Sequence, residues 1–106
     1  MINIRSIRKL KNGEGLTLKN GRPIRYKTGW QVADNGVEVY SAEIAIVYVR
    51  DVFKGNCGIW FENGIYYIDH SFRVNTKQQA LEIGRAHNQI SIYGWATGRL
   101  AYCQST

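Results

Sequence analysis

Apolar and polar residues alternate along much of this chain, which is the spacing of half-buried β-strands. The alternating segments lie beside Asn-Gly pairs, which begin at positions 12, 20, 35 and 63. Asn-Gly favours the positive φ angles of tight hairpin turns. The pattern therefore predicts a sheet built mostly from antiparallel hairpins.

The first predicted hairpin joins residues 15–18 to residues 23–32. A loop at 19–21 places the apolar side chains of both segments on one face, and burial of that face fixes the register. The residues on this face are Leu16, Leu18, Ile24, Tyr26, Trp30 and Val32. Arg25 and Lys27 then point outward. A second turn at residues 35–36 would pair Val32 with Val39.

Two later hairpins are predicted, one turning at residues 63–64 and one joining 90–93 to 99–103. Strict alternation in the former defines two faces. One face carries Cys57, Ile59, Phe61, Tyr66, Ile68 and His70. The other carries Trp60, Glu62, Tyr67 and Asp69.

Two helices are predicted from their capping residues. Ser41 is a suitable N-cap for a helix from about Ala42 to Phe53, although the β-branched segment 44–49 also suits a buried strand. Thr76 opens a capping box for a second helix, whose apolar stripe includes Gly84. A glycine there often marks close approach to another backbone.

These elements predict an α+β fold: a twisted antiparallel sheet with two helices on one face, in the order ββ(β)-αββ-αββ. A length of 106 residues predicts a single domain. The chain lacks the long apolar segment of a signal peptide or membrane span, so we expect a cytoplasmic protein that does not contact a membrane. Two cysteines and two histidines at scattered spacings predict neither a metal site nor a cofactor.

The net charge of +6 is concentrated near the N-terminus. Residues 1–27 hold one acidic side chain and eight basic ones: Arg5, Arg8, Lys9, Lys11, Lys19, Arg22, Arg25 and Lys27. Such a local field attracts nucleic acid or the acidic face of a nucleoprotein complex. The alternative is a solvated strand edge protected by its charges. Tyr26 and Trp30 are positioned either to stack on bases or to fill the core.

Two other groups of residues suggest chemistry or contact. The hairpin register sets Cys57 opposite His70, an arrangement that activates a nucleophilic thiol in enzymes but also suits core packing. Trp60 and Tyr67, with Glu62 and Asp69, form a candidate protein-contact surface, to which Tyr93 is a possible addition. The alternative is that this face lies beneath the helices.

Residues 57–95 resemble small proteins carried by bacterial mobile elements, some of which inhibit host defence, including anti-CRISPR proteins. The resemblance implies a non-enzymatic inhibitor that blocks a nucleic-acid-handling complex. Two other functions remain open. One is a regulator that binds DNA or RNA directly, and the other is a small ribonuclease-like toxin that uses His70 or His87.

Overall fold

The computed structural model describes residues 2–103, which form an antiparallel seven-stranded sheet with three α-helices. The α+β class is therefore as predicted. The helices are α1 (Ile4–Arg8), α2 (Ala42–Val47), which continues as a π-helical turn at Tyr48–Val52, and α3 (Lys77–Ala86). The strands are β1 (Glu14–Lys19), β2 (Arg22–Pro23), β3 (Trp30–Val39), β4 (Cys57–Glu62), β5 (Ile65–Val74), β6 (Ser91–Gly94) and β7 (Arg99–Tyr102). Their order across the sheet is β2-β1-β4-β5-β3-β6-β7.

The chain divides into two compact units, each with its own buried core. The first unit holds the residues up to Ile24 together with Gly36–His70. The second unit holds Arg25–Asn35 together with the chain from Ser71 onward. Among the described residues, no helix is long and apolar enough to cross a membrane.

The core of the first unit lies between β1, β4 and β5 on one side and the first two helices on the other. Leu18, Ile59 and Ile68 are buried there against Ile7 and Val49. The hairpin at residues 63–64 is confirmed, with Glu62 opposite Ile65 and Cys57 opposite His70. Its predicted inner face is confirmed too, because its members are buried or half-buried.

The loop predicted for the first hairpin is wrong. Lys19 pairs with Arg22, so the turn contains two residues, Asn20 and Gly21, at φ angles of 52° and 78°. Two positive φ angles are what a tight hairpin turn requires. The strand after the turn ends at Pro23, and the chain has no regular structure before Trp30. The continuous strand that fixed the predicted register therefore does not form.

The turn predicted at residues 35–36 is also wrong. β3 runs straight through this pair, and neither residue has a positive φ. Gly36 lies close to the β5 backbone, since a Cβ added to it would stand 3.6 Å from the carbonyl oxygen of Ile68. The Asn-Gly pair therefore lies within an extended strand at this position.

Residues 42–52 are helical, which resolves the choice left open for 44–49. Ser41 caps α2 as predicted, because its hydroxyl accepts a hydrogen bond from the Ile44 N–H. One side of α2 packs inward through Ala45, whereas Ile44 and Val47 remain exposed. The helix α1 was not predicted, because five residues are too few to show a helical period.

In the second unit, α3 packs on the sheet formed by β3, β6 and β7. Thr76 caps this helix as predicted, and Ala80 faces the buried side chains of Val32 and Ile92. Gly84 does lie close to a neighbouring element, but it approaches side chains and not the predicted backbone. A Cβ at this position would stand 2.6 Å from the sulfur of Cys103.

Candidate nucleic-acid interface

All eight basic residues selected from the sequence have exposed side chains. Six of them belong to the first unit, and Arg25 and Lys27 belong to the second. Among residues 2–103, Arg8 is the one member of this set that forms an ion pair. The other seven therefore present their charges to solvent.

Lys19 and Arg22 flank the tight turn at the end of the first hairpin, which we call the hairpin tip (residues 19–22). The tip is anchored to the loop that follows the π-helical turn. The Gly21 N–H donates to the carbonyl of Gly55 at 3.0 Å, and the Asn20 N–H donates to Oδ1 of Asn56 at 3.2 Å. The backbone that carries the two charges is thereby held in one conformation.

Two further exposed basic residues precede the loop that anchors the hairpin tip, and sequence reasoning did not select them. Lys54 directly precedes Gly55, which binds the tip. Nη2 of Arg50 donates to the carbonyl of Ile2 at 3.3 Å, and the Ile2 N–H donates to the carbonyl of Gly21. We call Lys19, Arg22, Arg50 and Lys54 the tip cluster. They are distant in sequence, so local charge counts could not have grouped them.

The basic residues of α1 are arranged differently. Asn3 caps this short helix by accepting a hydrogen bond from the Ser6 N–H at 3.2 Å. Arg8 forms its ion pair with Glu43 at the start of α2, and this contact lowers the pKa of the Glu43 carboxyl group. The charge of Arg8 is therefore largely balanced, whereas Arg5 and Lys9 remain available for a ligand.

Lys11 lies in the loop between α1 and β1. Its backbone N–H donates to Oε1 of Glu14 at 2.7 Å, while its side chain is exposed. Glu14, the one acidic residue in the first 27, is thus engaged with the backbone of this loop. The ammonium group of Lys11 remains a candidate phosphate contact.

Arg25 and Lys27 flank Tyr26 in the irregular segment before β3. The Tyr26 ring packs edge-on against Trp95 at 5.5 Å, and the Arg73 guanidinium lies 5.4 Å from its centroid. Tyr26 is thus part of an aromatic and cationic cluster. Trp30, the other aromatic candidate, instead packs against the core of the second unit.

Trp60 and Tyr67 lie opposite each other on β4 and β5, on the face that points away from the core of the first unit. Their side chains are 46% and 38% exposed, so the helices do not cover them. Nε1 of Trp60 donates to Oε2 of Glu62 at 3.4 Å, and Oδ1 of Asp69 accepts from the Gly58 N–H at 3.2 Å. This surface carries acidic groups, so it does not extend a phosphate-binding region.

The residues considered for catalysis are Cys57, His70 and His87. Cys57 is fully buried opposite His70, and its burial, with the nearby Asp69 charge, raises the pKa of its thiol to about 12. The thiol is neutral at physiological pH, and a neutral thiol is a poor nucleophile. His70 packs against Phe53 in the first unit, whereas His87 ends α3 in the second.

In the described part of the chain, no three His, Cys, Asp or Glu side chains stand close enough together to bind a metal ion. Comparisons with protein-family models, curated proteins and solved structures gave no match.

Proposed function

We propose that this protein is a non-enzymatic binding protein that contacts the phosphates of a nucleic acid through its basic N-terminal region. The observation that carries the proposal is the tip cluster. Lys19 and Arg22 flank one anchored turn, and Arg50 and Lys54 lie just before the residues that anchor it. Phosphate contacts require several such donors.

The anchoring of the tip supports this function over a purely solvating role. A strand edge that needs only protection from aggregation can carry its lysines on mobile backbone. Here two hydrogen bonds hold the turn, and a third ties it to the start of the chain. A backbone that is already ordered loses less conformational entropy when the side chains it carries bind a ligand.

The resemblance to mobile-element proteins gives the proposal a narrower form. In that form the nucleic acid is part of a host defence complex, and the protein acts as an inhibitor by occupying the channel or its edge. A regulator that binds free DNA or RNA would use the same basic residues. A competition experiment with an excess of naked nucleic acid separates the two forms. The excess should displace a regulator from its DNA or RNA target more strongly than it displaces an inhibitor from a nucleoprotein complex.

Salt dependence is the experiment that tests phosphate contact. If the four cations of the tip cluster each neutralise one phosphate of duplex DNA, these contacts should contribute about −3.6 to the slope of log affinity against log salt. On a single strand they should contribute about −2.8. Fluorescence anisotropy with labelled oligonucleotides, between about 0.05 and 0.2 M salt, measures both slopes. A slope near zero, or the absence of binding at low salt, would contradict the proposal.

A further inference from the structure

The sheet of the second unit has one covered face and one open face. Val32 and Ile92 are buried beneath α3, close to Ala80 of that helix. Residues that alternate with them point to the opposite face. Gln31 and Tyr93, which are paired between β3 and β6, therefore lie on the face away from α3.

The open face is rich in apolar and aromatic side chains. The pairing of β6 with β7 sets Tyr93 opposite Leu100, and Ser91 opposite Tyr102. Leu100 is 58% exposed and Tyr102 is 69% exposed, so no other part of the described chain covers them. Large apolar groups that remain in solvent on one sheet face indicate a binding surface.

Trp95 extends this surface, and its ring is held in place from several directions. The backbone N–H of Trp95 donates to the carbonyl of Gly29 at 3.0 Å, and the indole Nε1 donates to Oε1 of Gln31 at 3.1 Å. Nε2 of Gln31 in turn donates to Oγ of the buried Ser71 at 3.1 Å. The Tyr93 ring meets Trp95 at 5.0 Å, nearly perpendicular to it. The fold therefore presents rings whose orientation is set before any ligand arrives.

Cations adjoin these rings. Arg73 lies against the Tyr26 ring, and its Nε donates to the carbonyl of Thr28 at 2.8 Å. Arg25 and Lys27, on either side of Tyr26, are exposed. The surface thus combines aromatic rings with positive charge.

The acidic residues of the second unit are found elsewhere. Residues 25–35 and 71–106 together contain six basic residues and two acidic ones, Asp34 and Glu82. Asp34 is two residues from Val32 on β3, so alternation places it on the side of α3. Glu82 belongs to α3 itself, where its Oε1 accepts a hydrogen bond from Gln78 at 3.4 Å. The open face is therefore complementary to a polyanion.

We infer that the open face of the second unit binds single-stranded nucleic acid, with unpaired bases stacked on Tyr93, Trp95 and Tyr102 and phosphates held by Arg25 and Lys27. This inference rests on the proposed function and names its ligand class. Aromatic rings beside cations stack bases of any sequence while the cations follow the backbone. Bases inside a duplex already stack on one another, so a duplex can use the phosphate contacts alone.

The test uses a matched pair of exposed tyrosines. Tyr102 is 69% exposed on the open face, and Tyr40, which lies in the first unit, is 71% exposed. Either tyrosine can be replaced with little effect on the fold because its side chain is mostly in solvent. In the full chain, Tyr102→Ala should weaken binding of an oligothymidylate of about ten nucleotides by about 5- to 150-fold. Tyr40→Ala should change it by less than about twofold, and Tyr102→Phe should preserve binding because the ring remains.

Two further probes separate stacking from charge. Duplex DNA and inorganic polyphosphate offer phosphates without accessible base faces, so Tyr102→Ala should leave their affinity unchanged. Equal losses on all three probes, or no loss on the oligothymidylate, would overturn the inference while leaving the proposed function intact. If the wild-type protein binds none of the three probes, the proposed function itself fails. The inference would also be overturned if an acidic protein displaced the oligothymidylate and Tyr102→Ala left the affinity for the oligothymidylate unchanged.

Discussion

Gly55→Ala should destabilise the protein by about 2–5 kcal/mol, because it combines left-handed strain with a backbone clash. Gly55 has a φ of +81°, where a Cβ meets the following carbonyl. A Cβ there would also collide with the backbone of Asn20 and Gly21 at the hairpin tip. This backbone cannot move aside without losing the hydrogen bond from the Gly21 N–H to the carbonyl of Gly55. Urea or thermal unfolding measures the loss.

Gly64→Ala is the matched control for this effect. Gly64 has a nearly identical φ of +79°, but a Cβ there would meet no atom within 4 Å. The control variant should therefore lose only the cost of the left-handed conformation, about 1–2 kcal/mol. Equal losses in the two variants would show that the tip does not pack against the Gly55 loop as described. A Gly55→Ala protein too unstable to purify, beside a folded Gly64→Ala protein, would agree with the account.

The second large effect concerns affinity. Removing both charges of the hairpin tip, with Lys19→Gln and Arg22→Gln together, should weaken nucleic-acid binding roughly 25- to 60-fold at about 0.1 M salt. The loss follows from two phosphate contacts, each of which contributes a slope of about −0.7 to −0.9. The slope of log affinity against log salt should also become shallower by the sum of these two contributions. Fold stability should change by less than about 0.5 kcal/mol, since both side chains are exposed.

A variant with the same change in net charge distinguishes local contact from the general field of the protein. Gln78→Glu together with Gln79→Glu also lowers the net charge by two, at the exposed start of α3. Acidic residues are favourable near a helix N-terminus, which offsets the lost hydrogen bond from Gln78 to Glu82 and the repulsion that replaces it, so we expect this control to stay folded. If the affinity of the control falls as far as that of the tip variant, the tip is not a contact site.

The elements with strong local signals were predictable from the sequence. Ser41 and Thr76 satisfy the first turns of their helices with side-chain oxygens, so residue type alone places those helix starts. The hairpin at residues 63–64 is flanked by strict alternation on both sides, and its register follows directly. The face containing Ile59 and Ile68 is buried for the same reason.

The errors arose where a local signal competed with a contact distant in sequence. The Asn-Gly pair at 35–36 has the composition of a turn, yet pairing within the sheet keeps it extended in β3. The opposite case is residues 20–21, where the turn is real but shorter than the apolar pattern suggested. That pattern assumed one continuous strand, whereas Tyr26 packs in the second unit with Trp95. Alternation cannot reveal which core receives a side chain.

The same limit applies to the candidate interface. A count of charges along the chain identified the N-terminal region, because those residues are contiguous. It missed Arg50 and Lys54, whose segment is linked to the hairpin tip by the hydrogen bonds of Gly55 and of Ile2. The contact of Tyr26 with Trp95, which Tyr93 also packs against, was missed because Tyr26 is distant in sequence from the other two rings.

The most direct measurement of nucleic-acid contact is a nuclear magnetic resonance titration of the isotope-labelled full chain with single-stranded oligothymidylate at low salt. The account predicts backbone amide shifts at the hairpin tip and along β6 and β7, together with a shift of the Trp95 indole N–H. The Trp60 and Tyr67 amides should remain unchanged and serve as an internal reference. Shifts centred on Trp60 and Tyr67, or no shifts anywhere at low salt, would contradict the account.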